Sequence, residues 1–154
     1  MSATGIENKG IDGDFFNFLC HQWESAPIHQ TMDLRLIYLG PGEAGIKIHP
    51  GREYTTIRGR LHGGISAALA DTAMGWAILT LGRNCVTVDM YTNYIAPAFG
   101  EHDLTAEAQV VHSGNRTVVA EATLCNGRGE LVAKSRGTFS LKRGKMQAFE
   151  QDNP

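Results

Sequence analysis

Between Ile65 and Leu79 the chain reads ISAALADTAMGWAIL, and apolar residues fall on every side of any helix it forms. A helix with no polar side offers no face to water and belongs in a core. Upstream, Phe15, Phe16, Phe18, Leu19 and Trp23 recur at helical spacing, and Pro27 closes that shorter helix. Met32, Leu34 and Leu36 alternate with polar residues, before Ile37, Tyr38 and Leu39 break the pattern, which suits a strand. After GPGEAG, Ile46 and Ile48 alternate with Lys47 and His49 in a second strand bounded by Pro50 and Gly51. Residues 51 to 62 read as a loop, and the long helix ends near Gly82. Strand patterns then cover Cys85 to Ile95, His102 to Val111, Thr117 to Leu124 and Leu131 to Leu141. The links HSGNRT and CNGRGE are short and turn-forming, so antiparallel hairpins are expected there. The order predicts an α+β fold with the long helix packed on one curved antiparallel sheet.

The 154 residues fit one domain or a compact protomer of an oligomer. A chain of this size buries about 70% of its unfolded surface and needs no disulfide or metal staple. We expect a flexible N-terminus over 1–12, one domain over 13–143 and a C-terminal tail over 144–154. A formal net charge of -2 argues against a nucleic-acid partner. The one small basic cluster, Lys142, Arg143 and Lys145, reads as a solvated tail. Cys20, Cys85 and Cys125 lie far apart without CxxC or metal spacing, which suggests reduced thiols and a cytoplasmic setting. The first residues carry neither a basic start nor an apolar run, so no signal peptide is expected, and no segment reaches the length of a membrane span.

Against that bland background Asp71 stands out. An ionised carboxylate inside an apolar helix is costly unless it is paired, hydrogen-bonded or directed into a cavity. Either it is a structural acid bonded to Ser66, Thr72 or a neighbouring strand, or it lines a functional pocket; the second reading is favoured. At the start of the helix, Gly63 and Gly64 leave first-turn amides open, and those amides have no acceptor within the helix. They suit an anion or a developing oxyanion, or else they merely allow close packing on the sheet. Gly40 to Gly45 matches GxGxxG but precedes a strand, so it is a turn. Ser66 lacks the second glycine of a nucleophile elbow, and His62, His102 and His112 show no paired metal spacing.

The stretches GRLHGGISAALADTAMG and VTVDMYTNYIAPA, followed by EHDLTAEAQVVHSGNRTVVAEA, resemble the hotdog-fold acyl-CoA thioesterases of the phenylacetate-pathway (PaaI-like) type. The similarity runs from about Phe15 to Leu141. It implies a cytoplasmic homodimer or homotetramer that hydrolyses an acyl-CoA, with active sites at the dimer interface and no metal or cofactor. It implies that the Gly63 N–H donates to the thioester carbonyl, with Gly64 beside it and His62 holding the turn. Asp71 is then the catalytic carboxylate, reaching the site from the other subunit, and Thr87 orients water or that carboxylate. Thr56 stands where relatives often carry Asn or Gln near the thioester, and a hydroxyl cannot reproduce an amide's two donors. About eight residues of helix span about 12 Å, so one helix cannot readily bring both its first amide and Asp71 onto one carbonyl. A cross-subunit site fits that geometry. Met74 and Trp76 hint at an aromatic or medium-chain acyl group, and Arg83 and Arg116 are candidates for CoA phosphates. The rival readings are a hotdog dehydratase or hydratase, against which the HGG turn argues, and a silent acyl-CoA-binding protein, against which the retained Asp71 argues.

Overall fold

The apolar segment after His62 forms the expected long helix, and its neighbours in sequence wrap it. A computed structural model describes residues 5–142 and Met146. It contains β1 (Glu7–Asn8), α1 (Gly13–Ser25), α2 (Pro27–Thr31), β2 (Arg35–Gly40) and β3 (Glu43–Ile48). A single 3-10 turn at Arg52–Tyr54 leads to α3 (Gly63–Leu79), followed by β4 (Cys85–Tyr94), β5 (Leu104–Ser113), β6 (Thr117–Asn126) and β7 (Leu131–Leu141). Helix α3 lies against one face of a seven-stranded sheet of order β1-β2-β3-β5-β6-β7-β4. All pairs are antiparallel except β1 with β2. HSGNRT and CNGRGE make the β5–β6 and β6–β7 hairpins as expected, whereas β4 crosses over to pair with β7 and becomes a terminal strand.

Alternation along the strands builds the core. Ala106 and Ala108 of β5, Val118, Ala120, Ala122 and Leu124 of β6, and Ala133 and Phe139 of β7 are buried, with Leu69, Ala70, Ala73, Met74, Ala77 and Ile78 of α3. The many alanines on the sheet accommodate a broad helix above them. No helix among the described residues is long and apolar enough to cross a membrane.

Two local expectations need correction. Residues 5–12 are not a frayed end: β1 extends the sheet, and the Asn8 side chain bonds the main chain of Gly10 and Ile11. Asp12 then caps α1 by accepting from the amides of Asp14 and Phe15, a short-range cap that hydrophobic periodicity does not reveal. Pro27 also does more than end α1. It opens α2, because a proline at the first helical position sacrifices only an amide that had no partner. Arg143 and Lys145 of the basic cluster, and nearly all of the expected C-terminal tail, lie outside the described residues.

Helices α1 and α2 are fastened to α3 by a cluster of rings. His29 stacks on Trp23 at 3.9 Å between centroids, and Trp76 meets Trp23 edge-on at 5.1 Å. The His29 Nδ1–H donates to the Trp23 carbonyl at 3.0 Å. Burial pushes the imidazole's pKa below its ordinary 6.5, a lowering that the Trp23 carbonyl only partly opposes. Below that value the unfolded chain takes up a proton that the folded chain refuses, so stability rises with pH across this window and falls as pH drops. Urea midpoints between about pH 7.5 and 5.5 should therefore fall more steeply for the native protein than for His29→Phe, which keeps a ring but cannot titrate. Parallel slopes would show that His29 does not carry this linkage.

Candidate active site

The start of α3 is organised by its own first residues. His62 is the N-cap, with φ -64 and ψ 131, and its Nδ1 accepts from the Gly64 amide at 3.0 Å. A nitrogen that accepts carries no proton, so the ring is the Nε2–H tautomer. The Ile65 amide returns to the His62 carbonyl at 2.9 Å. The Gly63 N–H is left with no acceptor among the described residues, at the end of α3 where the aligned peptide dipoles are positive.

Two turns along, Asp71 is half-buried, and the stripe to which it belongs corrects the expectation of a helix enclosed on all sides. Ala67, Ala68, Asp71, Thr72, Gly75 and Leu79 are all only partly covered, and Gly64 is exposed. The sheet and the α1–α2 layer cover the remaining faces, so this stripe is apolar yet left open by the chain's own fold. Thr72 turns back to bond the Ala68 carbonyl of its own helix and is no partner for the acid. The partner is Thr87, whose hydroxyl donates to Asp71 Oδ1 at 2.7 Å.

Thr87 reaches Asp71 because β4 places it opposite Phe139, a buried residue on the helix side of the sheet. The next residue, Val88, has no partner: the register jumps from Thr87↔Phe139 to Asp89↔Thr138. Such a bulge re-aims the side chains beyond it. As a result Tyr94, an odd number of positions from Thr87, also faces α3, and its hydroxyl donates to the Gly63 carbonyl at 2.9 Å. Tyr94 is absent from the residues that the sequence singled out. Strict alternation would have turned it away, and no sequence cue marks the bulge.

The other candidates separate clearly. Thr56 sits in the tight turn before the glycines, its amide donating to the Arg60 carbonyl at 2.7 Å and its carbonyl accepting from Gly59 at 2.9 Å. It holds that turn through its main chain, and no bond joins it to Asp71 or Thr87. Met74 and Trp76 are buried, Trp76 in the ring cluster with Trp23, so they belong to the core and not to the open stripe. Arg83 is committed to structure, its Nη1 donating to Ser113 Oγ and the Gly114 carbonyl at 2.8 Å each. Arg116 is exposed in the β5–β6 link. Cys85 lies near enough to Asp71 for electrostatics: burial first, and then the Asp71 charge, push its thiol up to about 11, with Lys142 opposing. A thiol so raised stays protonated near neutrality and is a poor nucleophile.

A long helix on a mostly antiparallel sheet finds its match among known proteins. Residues 58–133 match the thioesterase superfamily. Human acyl-coenzyme A thioesterase 13 is 32% identical over 111 residues, spanning 70% of this chain and 79% of that protein. This chain belongs to the thioesterase superfamily. The structure of PaaI from the phenylacetic acid degradation operon of Escherichia coli superposes with a TM-score of 0.83 at 24% identity, covering 88% of this chain and 99% of that one. A mutant of the phenylacetic acid degradation protein PaaI of Thermus thermophilus is 29% identical with a TM-score of 0.71, over 75% of this chain and 98% of that one. The fold is the hotdog fold of the PaaI-like thioesterases, and the protein is a thioester hydrolase.

Proposed function

We propose that this thioesterase hydrolyses an acyl-CoA to the free acid and CoA, at a site built from two copies of the chain. The observation that carries the reading is the Asp71–Thr87 pair on an uncovered apolar stripe, two turns from an amide that no described residue engages. About 12 Å of helix rise separates the two within one chain, too far to serve one carbonyl. The terminal strand β4 supplies a means of joining copies. Val86, Val88, Tyr91 and Tyr94 are exposed along it, together with Ile95 just beyond. An unpaired strand edge of this kind is a template for pairing with another chain, and a two-fold contact presents each copy's stripe to its partner.

In such a site the Gly63 amide of one copy donates to the thioester oxygen while Asp71 of the other begins the attack. Asp71 either takes a proton from water, whose oxygen adds to the carbonyl carbon, or adds through its own carboxylate oxygen. In both cases the C=O electron pair moves onto the oxygen facing Gly63, and collapse expels the CoA thiolate, which takes up a proton. The second route leaves a mixed anhydride that water cleaves to the acid and free Asp71. Thr87 holds Oδ1 and so directs the other carboxylate oxygen at the substrate. His62 and Gly64 shape the turn, and Thr56 lies in the loop before it.

The acyl group we propose is aromatic or medium-chain. With Met74 and Trp76 assigned to the core, this preference rests on the small residues of the stripe. At Gly75, one turn beyond Asp71, an added Cβ would meet nothing within 4 Å, so the space beside the carboxylate is open. The names of the human and phenylacetate-operon relatives agree with acyl-CoA chemistry. Release of free thiol from a panel of aromatic, medium-chain and long-chain acyl-CoAs tests the proposal, with sedimentation giving the oligomeric state. We expect turnover of at least one aromatic or medium-chain member by a dimer or a dimer of dimers. Tight binding without release would make the protein a silent binder, and full activity in a strictly monomeric protein would remove the shared site.

A further inference from the structure

One peptide group in the glycine turn is held at both ends. Its carbonyl oxygen, on Gly63, accepts from the Tyr94 hydroxyl at 2.9 Å, and its N–H, on Gly64, donates to His62 Nδ1 at 3.0 Å. The Tyr94 ring also lies against the bare Cα of Gly63, where an added Cβ would stand 3.2 Å from a ring carbon. Paired glycines are the most conformationally free residues a chain carries. A planar peptide fixed at both its oxygen and its hydrogen loses that freedom. With this peptide pinned and a ring closing over the Cα, the adjoining Gly63 N–H keeps one direction.

We propose that Tyr94 is a positioning residue for the Gly63 amide: the strand that carries Thr87 to Asp71 also carries the clamp for the oxyanion donor. The inference rests on the acyl-CoA reading and deepens it, since a donor stabilises a developing charge only when it is aimed before the reaction begins. Tyr94 acts through Gly63 and, in the proposed site, touches neither the thioester carbonyl nor the attacking group. One strand therefore sets both halves of the catalytic apparatus, with Thr87 fixing the carboxylate of its own copy and Tyr94 fixing the amide offered to the other. Because His62 and Tyr94 hold the same peptide, their removal should be non-additive.

The test combines kinetics with a readout independent of turnover. Tyr94→Phe keeps the ring over Gly63 and deletes only the hydroxyl, whereas Tyr94→Leu removes both. For Tyr94→Phe we expect kcat to fall by up to about tenfold, the span of one net hydrogen bond. KM should stay within about twofold and the thermal midpoint should be close to that of the parent. Tyr94→Leu should lose more. In ¹⁵N relaxation the order parameter of the Gly63 amide should drop from about 0.85 towards 0.6 in Tyr94→Phe, with the α3 amides beyond Gly64 unaffected. An unchanged order parameter overturns the clamp whatever the activity. So does an unchanged kcat, or a change confined to KM, in a protein whose turnover Asp71→Asn abolishes. If the parent protein itself releases no thiol from any acyl-CoA, the functional reading fails and takes this inference with it, an outcome told apart by the inactivity of the parent.

Discussion

Asp71→Asn is expected to lower kcat by at least about a hundredfold, and by about ten-thousandfold or more if the carboxylate is the nucleophile, since general-base catalysis alone contributes about 10²–10⁴. The substitution is nearly isosteric. Asn Oδ1 still accepts the Thr87 hydroxyl that lies 2.7 Å from Asp71 Oδ1, so the helix and its strand contact should persist. Thermal midpoints should hold or rise slightly, as is common when a charge retained for function is removed from an apolar face. KM should change little, because in the proposed site the carboxylate meets the reacting carbon and not the body of the substrate. Asp71→Ala should be at least as inactive, while also breaking the bond to Thr87. Steady-state thiol release, read beside circular dichroism melts, decides the matter. Native-like kcat in Asp71→Asn on every substrate turned over by the parent would exclude both chemical routes.

The second large effect lies in the core. Phe139 of β7 is 1% exposed and stands between Val118 of β6 and Thr87 of β4 in the sheet register. Phe139→Ala should cost about 3–5 kcal/mol, through lost transfer energy and the cavity left behind. That is a large fraction of the about 5–15 kcal/mol that holds a typical domain folded. Urea midpoints at one fixed protomer concentration are the appropriate measure, because association contributes to apparent stability. Should Phe139→Ala fail to fold, Phe139→Leu should show the same effect at smaller size. The void also lies under β4 beside Thr87, so kcat should fall together with stability. A loss below about 1 kcal/mol, the typical value for an average substitution, would mean that Phe139 is not a keystone of the sheet.

How far the chain could be read in advance depended on whether each feature has a local cause. The helix from Gly63 and the hairpins around Gly114 and Gly127 were legible, because periodicity and turn chemistry act over a few residues. Asp71 was legible as an anomaly, since one acid among alanines, leucine, methionine and tryptophan has few physical excuses. The placing of Met74 and Trp76 was misread. Both look like suitable acyl-pocket walls on paper, but which side of an all-apolar helix meets the sheet, the α1–α2 layer or open space cannot be read from a pattern with no polar face. The order of the N-terminal segment was hidden for a different reason: Asn8 and Asp12 act through side-chain bonds to nearby amides, which leave no hydrophobic signature.

The amino-acid sequence on its own determined the α+β class, the buried helix, the glycine-rich helix start and the solitary acid, all consequences of side-chain size, polarity and spacing within one element. Only the tertiary structure decided that β4 crosses over to the sheet's edge, that Val88 bulges out of register, and that Thr87 and Tyr94 therefore both turn towards α3. The reason is physical: pairing register and strand order arise from contacts between distant segments, and a one-residue slip in a strand reverses every side chain that follows it.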